Sequence, residues 1–236
     1  MEANSLKVNG SGTYGGGVYQ DVKMNGAGKV TGNLQCKLFK VNGSGEVTGH
    51  AQIEEVKVNG SAIFKESALI GKAKINGSAI IEGEAVIDEL RVAGAVVASR
   101  RLKGKTVHVM GHLKVLENVE TEHFISNGRF QIDGLLAGDV IEINPRASRS
   151  RAKEIGGGQI TISKKKELFM MPGFSKRGRV EADVIEGDTL YLEYTTAKVV
   201  RGQNVELGPG CDILLVECPG VYKAHPDSRV KDVHKK

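Results

Sequence analysis

Two histidines four residues apart, His108 and His112, form the first spacing that could do chemistry. On a helix both would face one side and could share a zinc ion. Glu54, Asp88 and Glu122 stand at one constant interval, and paired carboxylates on a cleft can cleave a glycosidic bond. Gly15-Gly16-Gly17 and Gly156-Gly157-Gly158 could cradle a phosphate if either run opened a helix. Cys36, Cys211 and Cys218 make an odd set without zinc-type spacing, which fits a reducing compartment. Each reading depends on the path of the backbone, and an internal repeat decides that path.

Glycines recur every 17 residues at Gly26, Gly43, Gly60, Gly77, Gly94, Gly111 and Gly128. A short fixed period is the mark of a stacked repeat. The segments around Asn9-Gly10, Asn42-Gly43, Asn59-Gly60 and Asn76-Gly77 are copies of one unit, and the Asn-Gly pair is expected to supply a positive-φ corner. One apolar column reads Val22, Phe39, Val56, Ala73, Leu90, Val107, Phe124, Ile141, and another reads Met24, Val41, Val58, Ile75, Val92, Val109. Between them lie Lys23, Lys40, Lys57, Lys74, Arg91 and His108, so the chain alternates in, out, in as a strand does. Two further apolar columns start at Val30 and Leu34. Short strands separated by corners account for this spacing; a helix would need apolar residues three and four apart. The expected fold is all-β, a single-stranded parallel β-helix of about 17 residues per coil, each coil pairing with the next at about 4.8 Å.

That path removes the chemistry. A strand-and-corner route does not keep His108 and His112 on one side, and neither shares a column with His50 or His123. The carboxylate column is interrupted by Lys37, Gly71 and Lys105. Neither triple glycine opens a helix, and Cys36 falls in an inward column with Ile53, Ile70 and Ile87. No catalytic residue, metal ligand or cofactor is expected, and the chain reads as a non-enzyme. No apolar run is long enough to span a bilayer and no leader is recognised, so a cytoplasmic setting is expected, peripheral to a membrane at most.

The regular rows end near Ile143, which sets a main field of 1–144. The following 145–179 is expected to be a basic insertion: ten basic residues between Arg146 and Arg179 face only Glu154 and Glu167. Within it Lys164, Lys165 and Lys166 precede Leu168, Phe169, Met170, Met171 and Phe174, with Lys176 and Arg177 after them. Basic residues flanking apolar ones suit an anionic membrane surface or a partner protein. The same segment could instead be an arm packing Phe169, Met170 and Phe174 against the coils. Further coils are expected over 180–221, followed by a polar, disordered tail over 222–236. The lysine column has two readings as well: a solvated face that resists sheet aggregation, or a basic stripe for an acidic partner or membrane surface. Nucleic acid is not expected as a partner, because aromatic residues are sparse and no binding motif occurs.

The Val-Asn-Gly-Ser-Gly rows, the opening Gly-Thr-Tyr-Gly-Gly-Gly-Val-Tyr at 12–19 and the later Gly-Pro-Gly-Cys corner resemble the bactofilins, polymer-forming bacterial cytoskeletal proteins. The resemblance covers about 8–143 and, more loosely, 180–220. It implies a right-handed β-helix that joins end to end into filaments without nucleotide, serving as a scaffold at the membrane for cell shape or for motility and flagellar assembly. Its partners would be further copies of itself and envelope or motility proteins. Two departures stand out: no apolar membrane tail precedes the repeats, and the repeat field is longer and interrupted. The expected polymer contacts are Val8, Tyr14, Val18 and Tyr19 at one end and Ile213, Leu214, Leu215 and Val216 at the other, since open β edges template further pairing. Tyr14, Val18 and Tyr19 could alternatively fold over the end as a local cap. A β-helical acyltransferase and a monomeric adaptor using the basic loop are the competing functions.

Overall fold

A computed structural model describes residues 4–145, 149–164 and 178–235. It shows an all-β chain of parallel strands, with no helix among the described residues. Two compact units divide between Glu117 and Asn118.

The first unit holds β1 (Leu6–Val8), β2 (Ser11–Met24), β3 (Ala27–Val41), β4 (Ser44–Val47), β5 (Ala51–Val58) and β6 (Ser61–Phe64). It continues with β7 (Ala68–Ile75), β8 (Ser78–Ile81), β9 (Ala85–Val92), β10 (Ala95–Ala98), β11 (Leu102–Val109) and β12 (His112–Val115). Long and short strands alternate, and each pairs with its counterpart one coil on: β3 with β5, β5 with β7, β7 with β9, β9 with β11. The register keeps like above like, as in Leu34↔Ala51, Ala51↔Ala68 and Ala68↔Ala85. Inward positions are buried, among them Val22, Phe39, Val56, Ala73, Leu90 and Val107. Phe39 and Phe64 meet in this core with ring centroids 5.6 Å apart. A single coil offers only a handful of such side chains, at about 1.5–3 kcal/mol each, so order comes from stacking.

The corner glycines differ from expectation. Among the described glycines only Gly17, Gly32 and Gly210 have positive φ, so the 17-residue glycines are not there for a left-handed turn. Their reason is crowding. The carbonyl oxygen of each corner glycine occupies the place where a Cβ on the next would stand: Gly26 under Gly43, Gly43 under Gly60, Gly60 under Gly77. That oxygen accepts the following coil's N–H, as in Ser44 to Gly26 at 2.9 Å and Ser61 to Gly43 at 2.8 Å. A side chain would part the coils.

The second unit holds β13 (Val119–Ser126), β14 (Arg129–Ile143), β15 (Arg149–Ile162), β16 (Arg179–Leu192) and β17 (Thr195–Leu207). Its last strands are β18 (Asp212–Glu217), β19 (Val221–Ala224) and β20 (Arg229–His234). Here the step varies: Val119↔Leu136, Leu136↔Ile155, Ile185↔Val200 and Val200↔Val216 are successive core partners at different intervals. Two expectations are corrected. The 145–179 stretch is not one insertion, because β15 pairs with β14 on one side and β16 on the other and buries Ala152, Ile155, Ile160 and Ile162. Nor is 222–236 a disordered tail: β19 lies on β17 and β20 on β18. In both places charged residues point outward while a small apolar set points in, which high net polarity conceals.

Candidate functional site

Three surfaces gather the residues that could meet a partner. The first is the open edge of β2. Along Ser11–Tyr19 it pairs with β3 only, while β1 covers just Val22, Lys23 and Met24. Alternate residues of that stretch therefore turn N–H and C=O groups away from any strand among the described residues. Natural edges are usually guarded by lysine, proline or a bulge. From Ser11 to Gln20 there is neither a charged side chain nor a proline, and the one irregularity is a register shift against β3 between Gly15 and Gly17.

The predicted end residues separate here. Val8 is buried in β1 above Met24 and is no contact surface. Tyr14 and Tyr19 occupy inward columns, opposite Val30 and Cys36, but no coil among the described residues covers them. Both rings bend back over their own coil. Tyr14 lies against Gly12, and the Tyr19 hydroxyl donates to the Gly15 carbonyl at 2.8 Å. Val18, on the outer side, is 64% exposed. The tyrosines thus shield the core beneath, while the strand edge itself stays open.

In the second unit the expected contact residues are not terminal. Ile213 and Val216 are buried under Val230 and Val233 of β20, Leu215 is half-buried, and only Leu214 stands clear. The last strands present Val221 and Val233, both exposed, and also Lys223, Arg229, Lys231 and Asp232. This edge is guarded by charge where that of β2 is not.

The second surface is the start of the basic segment. Of its predicted contact residues, Lys165, Lys166, Leu168, Phe169, Met170, Met171, Phe174, Lys176 and Arg177 lie outside the described residues. Lys164 is described. Its backbone N–H donates to Glu193 Oε2 at 2.8 Å, and its ammonium sits 5.8 Å from the Tyr194 ring centre. Tyr194 has φ 48°, the sole left-handed non-glycine among the described residues. That conformation costs on the order of 1 kcal/mol or more. It is held because the Tyr194 N–H donates to Pro209 O, its carbonyl accepts from Val180, and its ring packs on Gly210. Glu193 also accepts from the Tyr191 hydroxyl at 2.8 Å, which with partial burial pushes that phenol up to about 12.

The third surface is the outward lysine column of the first unit. Lys7, Lys23, Lys40, Lys57, Lys74 and Arg91 stand in direct register, one per coil. Lys23 is paired with Asp21 at 2.7 Å and Lys57 with Glu55 at 2.8 Å. Among the described residues Lys7, Lys40, Lys74 and Arg91 have no carboxylate partner. Beside them runs a ladder that sequence reading missed. Asn25 Nδ2 donates to Asn9 Oδ1 at 2.9 Å, Asn42 to Asn25 at 2.8 Å, Asn59 to Asn42 at 2.9 Å, and Asn76 to Asn59 at 2.9 Å. The signal is the asparagine one place before Gly10, Gly26, Gly43, Gly60 and Gly77. Asparagine before glycine reads as turn chemistry, whereas here the side chains bond between coils.

His50 is a corner residue, whereas His108 lies in β11, His112 opens β12 and His123 lies in β13. His50 Nδ1 lies 2.7 Å from Ser67 Oγ, and the His50 backbone N–H donates to Asn33 Oδ1 at 3.0 Å. Among the described residues no carboxylate hydrogen-bonds that imidazole. The contact ties one coil to the next. In the same column Arg101 bonds Glu84, and on another face Lys105 approaches Asp88 at 3.5 Å. Carboxylates are thus matched with cations one coil away, a pattern that neutralises a stacked surface. Among the described residues no helix is long and apolar enough to cross a membrane.

No family model matches this chain, and no solved structure matches it. Two proteins of Bacillus subtilis (strain 168) are similar to it: "Uncharacterized protein YhbF", 40% identical over 99 residues, and "Uncharacterized protein YhbE", 36% identical over 101 residues. The matches cover 42% and 43% of this chain and 40% and 43% of the relatives, so the chain spans less than half the length of each.

Proposed function

We propose that this chain is a self-assembling scaffold whose coils pair with those of further copies to form filaments without nucleotide. One observation carries the reading: the β2 edge over Ser11–Tyr19 is open, uncharged and free of proline, a combination that invites another strand. Copies joined there would extend the parallel ladder already running through the coils, and Tyr14 and Tyr19 would become interior. A second contact would use β19 and β20, where Val221 and Val233 are exposed, instead of Ile213–Val216.

The bactofilin resemblance of the coil corners supports the same reading. It also suggests a cytoplasmic setting at the inner face of a membrane, with a role in cell shape or motility and flagellar assembly. Strand-edge assembly needs no cofactor, because the joining groups are backbone amides and apolar side chains. Negative-stain electron microscopy of the purified chain at micromolar concentration tests it. Filaments that lengthen with concentration are expected in low and physiological salt; monomers alone at every concentration would refute the proposal.

A further inference from the structure

The lysine column runs along one outward face of the first unit. Stacked at one coil step, neighbouring cations of the column repel one another. A face meant only to be wetted would set opposite charges one coil apart, as Lys29 does with Glu46, Lys65 with Glu82 and Lys72 with Glu89 on this same unit. The column from Lys7 to Arg91 instead keeps one sign over five steps, about 24 Å at the spacing of paired strands. Four of its six cations have no carboxylate partner among the described residues. Two are tethered within their own strands by Asp21 and Glu55.

The neighbouring columns say what could lie along it. On one side the asparagine ladder uses one amide hydrogen per residue, so the second hydrogen of each exposed Nδ2 remains available as a donor. On the other side stand Asp21, Leu38, Glu55, Lys72 and Glu89. A flat anionic membrane pressed on this face would meet those three carboxylates together with the lysines. A narrow chain lying between the lysine and asparagine columns would avoid them. An extended acidic peptide presents same-side carboxylates every 6.6–6.8 Å or so, and falls out of step with a 4.8 Å row within about three coils. The phosphates of a duplex wind away from a straight line within one turn of about 34 Å. A flexible chain with a charge at every link can follow the row, and compact ammonium groups suit phosphate oxygens.

We propose that the straight row Lys7–Lys23–Lys40–Lys57–Lys74–Arg91, with the asparagine ladder beside it, binds a flexible linear polyphosphate chain. The site does not depend on filament formation, since the whole row lies in the first unit of one copy.

Fluorescence anisotropy with labelled long-chain inorganic polyphosphate tests this, at protein concentrations where light scattering shows no polymer. Binding is expected to weaken on the order of 100-fold between 50 and 200 mM salt, as release of counterions from four to six contacts requires. Lys7→Gln/Lys40→Gln/Lys74→Gln is expected to bind on the order of 30-fold more weakly, with the salt slope reduced by about 2. The charge-matched control Lys29→Gln/Lys65→Gln/Lys198→Gln, whose lysines are all ion-paired off the row, is expected to stay within about twofold of the parent. The milder Lys40→Gln/Lys74→Gln is the reserve if the triple variant misfolds, with a slope change of about 1.4. Equal losses in row and control variants, or no loss in the row variants, would overturn the assignment. So would tighter binding to polyglutamate, duplex DNA or phosphatidylserine vesicles than to polyphosphate.

Discussion

The carbonyl oxygen of Gly43 sits where a Cβ on Gly60 would have to stand, and the same contact joins Gly26 to Gly43 and Gly60 to Gly77. Gly60→Ala is therefore expected to destabilise the first unit by about 3 kcal/mol, the upper end of overpacking costs, since the obstructing atom is backbone. Gly10→Ala is the control, because nothing lies within 4 Å of a Cβ there. Thermal or urea melts should show a clear loss for the first and almost none for the second. Equal effects would mean that the glycines are required for backbone conformation instead.

Asn59 both donates to Asn42 and accepts from Asn76, each at 2.9 Å. Asn59→Ala breaks two ladder bonds at an exposed corner and should cost about 1–2 kcal/mol in a urea melt. Asn59→Asp keeps the acceptor and loses the donor, so about half that loss is expected at neutral pH. A ladder of no energetic consequence would leave both melts at the parent's midpoint.

Cys36 lies in the core opposite Tyr19 and Ile53, and burial, followed by the nearby Asp21 and Glu54 carboxylates, pushes its thiol from 9.0 up to about 12. Its folded value is above its unfolded one, so its contribution to stability is fully present below pH 9 and is lost as pH rises towards 12. Native protein should resist thiol alkylation at pH 8.5 at Cys36 and react once unfolded. Cys36→Ala should flatten part of the alkaline decline in stability. Rapid native alkylation of Cys36 would show that the column is open at that level.

Much of this architecture was legible because 17-residue columns survive from Val22 to Val109 with little exception, and strand alternation converts each column into an inward or outward line. The core residues Val22, Phe39, Val56 and Leu90 follow directly. Legibility failed where the step changed. Leu136 pairs with Ile155, and Ile155 with Ile185 across the basic segment, so β15 has no counterpart at the expected interval. The same holds for β20, whose Val230 and Val233 are spaced among Arg229, Lys231 and Asp232 and read as a polar tail. With β20 hidden in this way the columns put the C-terminal contact on Ile213 and Val216, which are core. The bending of Tyr14 and Tyr19 back over Gly12 and Gly15 depends on side-chain rotamers that no column reveals.

Assembly through the β2 edge is tested most directly by sedimentation velocity of the parent chain beside Tyr14→Lys/Val18→Lys, which places two charges on that edge. The parent should sediment as concentration-dependent polymer, whereas the variant should remain small and keep the parent's circular dichroism and melting midpoint within a few degrees. Polymer of undiminished size in the folded variant would contradict pairing at Ser11–Tyr19, and a parent that stays monomeric throughout would contradict self-assembly altogether.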